Sequence, residues 1–143
     1  MDESRCNVML VNDDLLEIDL ARRAAVESRA RICLTVAKGC DAALNWLGAG
    51  VAKKEQIPHL ILLDLQLPKL DGLAALRTMR VHEATRDIPI VVFSAEYTQE
   101  DVLMSYRAGA NSFVAKPADL GQFTQFFREH LEHWLPPTLP SVN

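Results

Sequence analysis

Cysteine is scarce and poorly spaced for pairing. The 143-residue chain has three, Cys6, Cys33 and Cys40, with no CxxC among them. An odd count without that spacing argues against a disulfide framework or a paired-thiolate zinc site, and suits a reducing cytoplasm. Long apolar runs are missing too. No stretch approaches the roughly 18–20 residues that span a bilayer. The opening Met1-Asp2-Glu3-Ser4-Arg5 is short and acidic, so neither a signal peptide nor membrane attachment is expected. Nor is there an excess of positive charge: 15 Lys and Arg stand against 19 Asp and Glu, a net charge of −4. Nucleic acid is therefore not the expected partner, because gripping a phosphate backbone takes a basic face.

What the chain does have is alternation. Its length suits one domain, and hydrophobic residues at 49% with charged residues at 24% make an ordinary globular balance. Four short apolar runs, Val8–Val11, Ile32–Ala37, Leu60–Leu63 and Ile90–Phe93, and a weaker fifth, Ser112–Ala115, read as buried strands of a parallel sheet. Helical spacing fills the intervals. Leu16, Leu20, Ala24 and Ala25 mark the inner face of a first helix, Ala42, Ala43, Trp46 and Leu47 of a second, and Leu73, Leu76, Met79 and the stem of Arg80 of a third. Thr98 is the expected N-cap of a fourth helix, with Val102, Leu103 and Tyr106 inside it and Gly109 as its stop. Asp119 caps a last helix carrying Phe123, Phe126, Phe127, His130, Leu131 and Trp134. Gly48 to His59 reads as a loop. The domain is expected to span residues 7–134, with an extended Pro-containing tail over 135–143.

Five strands alternating with five helices define an α/β, doubly wound fold. Such folds bind ligands beyond the carboxyl ends of their strands. The residues there are Asn12, Asp13 and Asp14 after the first strand, Asp64 at the third, Ser94 at the fourth and Lys116 after the fifth. Each has an ordinary explanation. Asp13 or Asp14 can cap a helix, Asp64 and the Asp71-Gly72 pair can make turns, Ser94 can cap, and most lysines are simply solvated. Their convergence on one rim is harder to dismiss. Carboxylates held close together attract a hard divalent cation such as Mg²⁺. A carboxylate can also be a nucleophile that forms an acyl phosphate. Phosphoryl transfer then needs positive charge and hydrogen-bond donors around the phosphoryl oxygens, which a cation, a lysine and a hydroxyl supply.

Three motifs carry a resemblance to the receiver domains of bacterial two-component systems. They are Leu60-Ile61-Leu62-Leu63-Asp64-Leu65-Gln66-Leu67-Pro68-Lys69-Leu70-Asp71-Gly72, then Ile88-Pro89-Ile90-Val91-Val92-Phe93-Ser94-Ala95, then Gly109-Ala110-Asn111-Ser112-Phe113-Val114-Ala115-Lys116-Pro117. The match runs from about Val8 to Trp134. It implies a flavodoxin-like sheet in the order 2-1-3-4-5. It also implies Asp64 as phosphoacceptor, Asp13, Asp64 and the Gln66 carbonyl as Mg²⁺ ligands, Ser94 and Lys116 as phosphoryl contacts, and Phe113 as an aromatic switch partnered with Ser94. The Lys116–Pro117 bond is expected to be cis, as in that family.

One departure stands out. The family's paired acids fall on Asn12 and Asp13, so the first is an amide here. A weaker Mg²⁺ site is expected unless Asp14 reaches in, with Asn12 or Asp14 acting through water. The Leu-Asp-Leu-polar-Leu-Pro stretch and the Trp134-containing end resemble small stand-alone receivers served by phytochrome-type, light-sensing histidine kinases. Output is then expected through protein contacts, including a homodimer through the face of the fourth helix, fifth strand and fifth helix, with Phe126 and Trp134 as interface candidates. His130 and His133 read as a surface pair. Two other readings remain: a degenerate receiver acting as a constitutive interaction module, and an aspartyl-phosphate phosphohydrolase. The second is disfavoured because such enzymes carry an acid two residues after the nucleophile, where Gln66 stands.

Overall fold

The computed structural model describes residues 5–27, 31–52, 57–65, 69–83 and 85–134. In chain order the elements are β1 (Arg5–Val11), α1 (Leu15–Glu27), β2 (Arg31–Ala37), α2 (Cys40–Ala52), β3 (Leu60–Asp64), α3 (Lys69–Val81), β4 (Ile90–Ser94), α4 (Gln99–Ala108), β5 (Ser112–Ala115) and α5 (Leu120–Trp134). The five strands form one parallel sheet in the order β2-β1-β3-β4-β5. The strand order and the doubly wound architecture are those expected from the sequence.

The period of two along a strand divides the core. Met9 and Val11 of β1, Ile61 and Leu63 of β3 and Val92 of β4 face one way. There they meet Ala43 and Leu47 of α2, Leu73, Leu76 and Met79 of α3 and Ala108 of α4. Val8, Leu10, Leu60, Leu62, Val91 and Phe93 face the other way, onto Ile18, Ala21 and Ala24 of α1 and Phe123, Phe126 and Phe127 of α5. Central strands covered on both faces must be apolar throughout, which is why β3 and β4 read as unbroken hydrophobic runs. The same alternation carried to the strand ends sends Asn12, Asp64 and Lys116 to the α1/α5 side.

Helix ends follow local chemistry. The Thr98 hydroxyl accepts from the Asp101 N–H at 3.1 Å while the Asp101 carboxylate accepts from the Thr98 N–H at 2.9 Å, a complete capping box. Gly109 ends α4 at φ 121°, a conformation that disfavours a side chain. Asp119 Oδ1 accepts from the Gln122 N–H at 2.9 Å and starts α5.

Several expectations about the helices need correction. α2 runs on to Ala52, so Gly48 lies inside a helix; a helical glycine costs about 1 kcal/mol, which the packing of Ala43 and Leu47 offsets. Leu16 is 74% exposed, because α1 turns Ile18, Ala21, Ala24 and Ala25 onto the sheet and Ile18 rather than Leu16 takes the inward position in the first turns. Arg80 contributes more than its stem, since its guanidinium bonds four oxygens at the α3–α4 side. Phe126 is buried rather than presented, packed between Phe93 and Phe127 with ring centroids 6.2 and 5.9 Å away.

Candidate functional site

The rim is built by the sheet register. Val11 of β1 lies beside Leu63 of β3, so the next residues, Asn12 and Asp64, end adjacent strands together. Asp64 in turn pairs with Phe93, and Ser94 with Ala115. The Lys116 N–H donates to the Ser94 carbonyl at 3.0 Å, carrying the ladder one step past β5. Strand ends separated by tens of residues thus meet because parallel pairing aligns their carboxyl termini.

At the centre, Lys116 Nζ donates to Asp64 Oδ2 at 3.0 Å, with both side chains almost wholly buried (5% and 3% exposed). The same ammonium lies 3.0 Å from Glu17 Oε1, and 5.8 Å from the centre of the Phe93 ring. Burial by itself would lower the ammonium's pKa. The hydrogen bonds and negative charge of Asp64 and Glu17 outweigh it and hold the pKa above its ordinary value. Lys116 is therefore cationic throughout the neutral range.

Asn12 is completely buried. Its Oδ1 accepts from the Asp14 N–H at 2.8 Å, and its Nδ2 donates to Glu17 Oε1 at 3.0 Å. Asp14 is taken up as the cap of α1, its Oδ1 accepting from the Leu16 and Glu17 N–H groups at 2.9 and 3.1 Å. Asp14 thus caps α1, with its Oδ1 committed to the helix. Asp13 is exposed beside it. Gln66 lies outside the described residues, as do the side chains of Asp71, His130, His133 and Trp134 and the tail 135–143.

Ser94 is buried, and its hydroxyl donates to the Glu96 carbonyl at 2.9 Å. Phe113 is half-buried and meets the Tyr97 ring edge-on at 4.9 Å. The Lys116–Pro117 peptide is trans, against expectation; the two isomers of such a bond differ by only about 0.5–1 kcal/mol, so the surroundings decide.

Among the described residues, no three His, Cys, Asp or Glu side chains gather as a metal centre. The ligand atoms these residues could offer a cation are nonetheless oxygens: the buried Asp64 carboxylate and the exposed carboxylate of Asp13, which follows the end of β1. That set fits a hard cation such as Mg²⁺, which keeps several waters and takes few carboxylates. It does not fit a softer metal that prefers nitrogen or sulfur.

The model of the response regulator receiver domain matches residues 8–128. The chain belongs to this family. Among solved receivers, the phosphorylated cyanobacterial phytochrome response regulator RcpA superposes with a TM-score of 0.81 at 32% identity, covering 96% of this chain and 99% of RcpA. Response regulator Rcp1 of Synechocystis sp. is 29% identical over 137 residues, 94% of this chain and 93% of Rcp1. Its Mn²⁺-bound form superposes with a TM-score of 0.77. The probable methanogenesis regulatory protein FilR2 of Methanothrix harundinacea is 33% identical over 94 residues, and the match spans 61% of its length. No described helix of this receiver is long and apolar enough to cross a membrane.

The sequence reading missed Glu17. Its only signal was an acid in the first turn of α1, where acids are common for the helix dipole alone.

Proposed function

We propose that this receiver is a response regulator that takes a phosphoryl group from a sensor histidine kinase onto Asp64. The observation that carries the reading is the buried Lys116–Asp64 pair at the rim, with the Ser94 hydroxyl on the neighbouring strand end. An Asp64 carboxylate oxygen attacks the phosphorus of a phosphohistidine. A phosphorus–oxygen bond forms, the phosphorus–nitrogen bond breaks with its electron pair going to nitrogen, and the imidazole, already protonated on its other nitrogen, leaves as the neutral ring. Lys116 shifts from the carboxylate to a phosphoryl oxygen and keeps its charge close to the new negative group. Ser94 exchanges the Glu96 carbonyl for another phosphoryl oxygen. Asp64 and Asp13, with the Gln66 carbonyl, would hold Mg²⁺, which neutralises charge on the phosphoryl oxygens when bound.

Movement of Ser94 vacates space that Phe113 can fill by turning inward, which changes the surface of α4, β5 and α5. Output through that face, first as a homodimer, is supported by exposed Leu103 and Tyr106 on α4. Light scattering that finds only monomer at high concentration, with and without beryllofluoride, refutes the dimer. The likeness to RcpA makes a phytochrome-type kinase the phosphodonor to try first.

The test of the phosphoacceptor is intact mass after incubation with Mg²⁺ and a small acyl phosphate. The expected result is one added phosphoryl group, dependent on Mg²⁺ and missing from Asp64→Asn. No adduct on the native chain, with beryllofluoride also failing to bind, leaves a constitutive interaction module instead.

A further inference from the structure

Glu17 is an acidic side chain that reaches Lys116 from a helix rather than from the sheet. Its Oε1 accepts from both Lys116 Nζ and Asn12 Nδ2, each at 3.0 Å. The orientation of the Asn12 amide follows from its other bond. Oδ1 takes the Asp14 N–H, so the NH₂ end must face Glu17. A fully buried amide aimed this way is complementary to an ionised carboxylate. A carboxylate at position 12 would instead set two acceptors against each other at hydrogen-bond distance, and like charges so close disfavour joint ionisation.

The rim therefore keeps a carboxylate beside Lys116, but draws it from α1 rather than from the end of β1. We infer that Glu17 is a positioning residue that supplies the negative charge position 12 lacks: it sets the Lys116 ammonium and raises the affinity of the rim for a divalent cation, and Asn12 is the amide that holds it in place. The two positions then act as one unit. Restoring an acid at position 12 does not strengthen the site while Glu17 is present, and does so once Glu17 is neutralised. This inference rests on the phosphoacceptor reading of the same rim.

Mn²⁺ affinity, read from the electron paramagnetic resonance signal of the free ion, tests it on the full chain as wild type, Glu17→Gln, Asn12→Asp and the double variant. Glu17→Gln is expected to weaken binding about tenfold, the order by which partners outside the ligand shell act on a metal site. Asn12→Asp alone is expected to change it by less than about threefold, and in the Glu17→Gln background to restore it to within about threefold of wild type. A residue that merely props the fold would not reverse its partner's effect. Glu17→Asp, which keeps the charge on a shorter stem, is expected to fall between wild type and Glu17→Gln. Metal-free thermal unfolding establishes that each variant is folded. Unchanged affinity in Glu17→Gln overturns the inference, and so does an Asn12→Asp effect of the same factor in both backgrounds. Acyl-phosphate labelling of the wild type separates the two readings. Absence of an adduct there overturns the phosphoacceptor, whereas an adduct with independent substitutions overturns only the role of Glu17.

Discussion

The ring of Phe113 stands edge-on to that of Tyr97, with centroids 4.9 Å apart and planes at 65°. The Phe113 N–H donates to the Tyr106 hydroxyl at 3.1 Å, so α4 and the segment before it both hold this strand. In the switch proposed above, this ring contact belongs to the state before Phe113 turns inward. An edge-to-face pair contributes about 0.5–1.5 kcal/mol. Tyr97→Ala should therefore destabilise the outward state by that amount and tighten beryllofluoride binding roughly two- to tenfold, because a ligand reads the population of its preferred state. Titration followed by the amide resonances of Ala115 and Lys116 measures it. Unchanged or weaker binding would show that the pair does not bias the switch.

Phe126 belongs to the core. It is 6% exposed and lies against Phe93 of the sheet and Phe127 of its own helix. Truncating a buried phenylalanine costs about 3–5 kcal/mol. Phe126→Ala should lose that much in urea unfolding. A loss under about 1 kcal/mol would instead return the residue to the interface.

Arg80 ties the end of α3 to the turn after α4. Its Nε donates to the Gly109 carbonyl at 2.7 Å, its Nη1 to the Ile88 and Arg86 carbonyls at 2.6 and 3.0 Å, and its Nη2 to Asn111 Oδ1. A Cβ on Gly109 would collide with the Arg80 Cγ, at a φ that already disfavours side chains. Gly109→Ala should cost about 2 kcal/mol or more in the native background. In an Arg80→Ala background the collision is gone, and only the backbone strain of roughly 1–2 kcal/mol should remain. Equal costs in both backgrounds, read by chemical denaturation, would rule out the collision. Arg80→Lys should behave like a loss, since a single ammonium cannot span these oxygens.

His59 gives the fold a dependence on pH near neutrality. Its Nδ1 accepts from the Asn7 N–H at 3.0 Å, which requires the neutral ring, and burial lowers its pKa below the ordinary value. With the folded pKa below the unfolded value of about 6.5, the unfolded chain binds the proton more readily. The stabilisation is present above about pH 6.5 and is lost as pH falls through the lowered folded pKa. Urea unfolding of wild type and His59→Gln across pH 7.5 to 5 should show the gap between them narrowing on acidification. A constant gap would contradict the assignment.

The elements and most of the rim were readable without coordinates because both are local. Hydrophobic period marks strands and helices, and cap chemistry marks Thr98, Gly109 and Asp119. Parallel pairing then brings the residues at the ends of β1, β3, β4 and β5 to one edge, so Asp64, Ser94 and Lys116 could be brought together by counting strands. Asn12 could be seen to replace an acid, but not to hold one.

What the chain alone determined, then, is which residues end its strands, since that depends on neighbours a few positions away. Tertiary structure alone decided which side chains from other elements reach them. Glu17 meets Lys116 only because α1 docks on the same sheet face to which period-two alternation sends Asn12, Asp64 and Lys116. Phe126 is core rather than surface because α5 turns that side of its aromatic stripe onto Phe93. The rotation of a helix about its own axis is set by how its whole apolar face packs, and an amphipathic stripe broad enough to offer several rotations leaves that choice to the sheet beneath it.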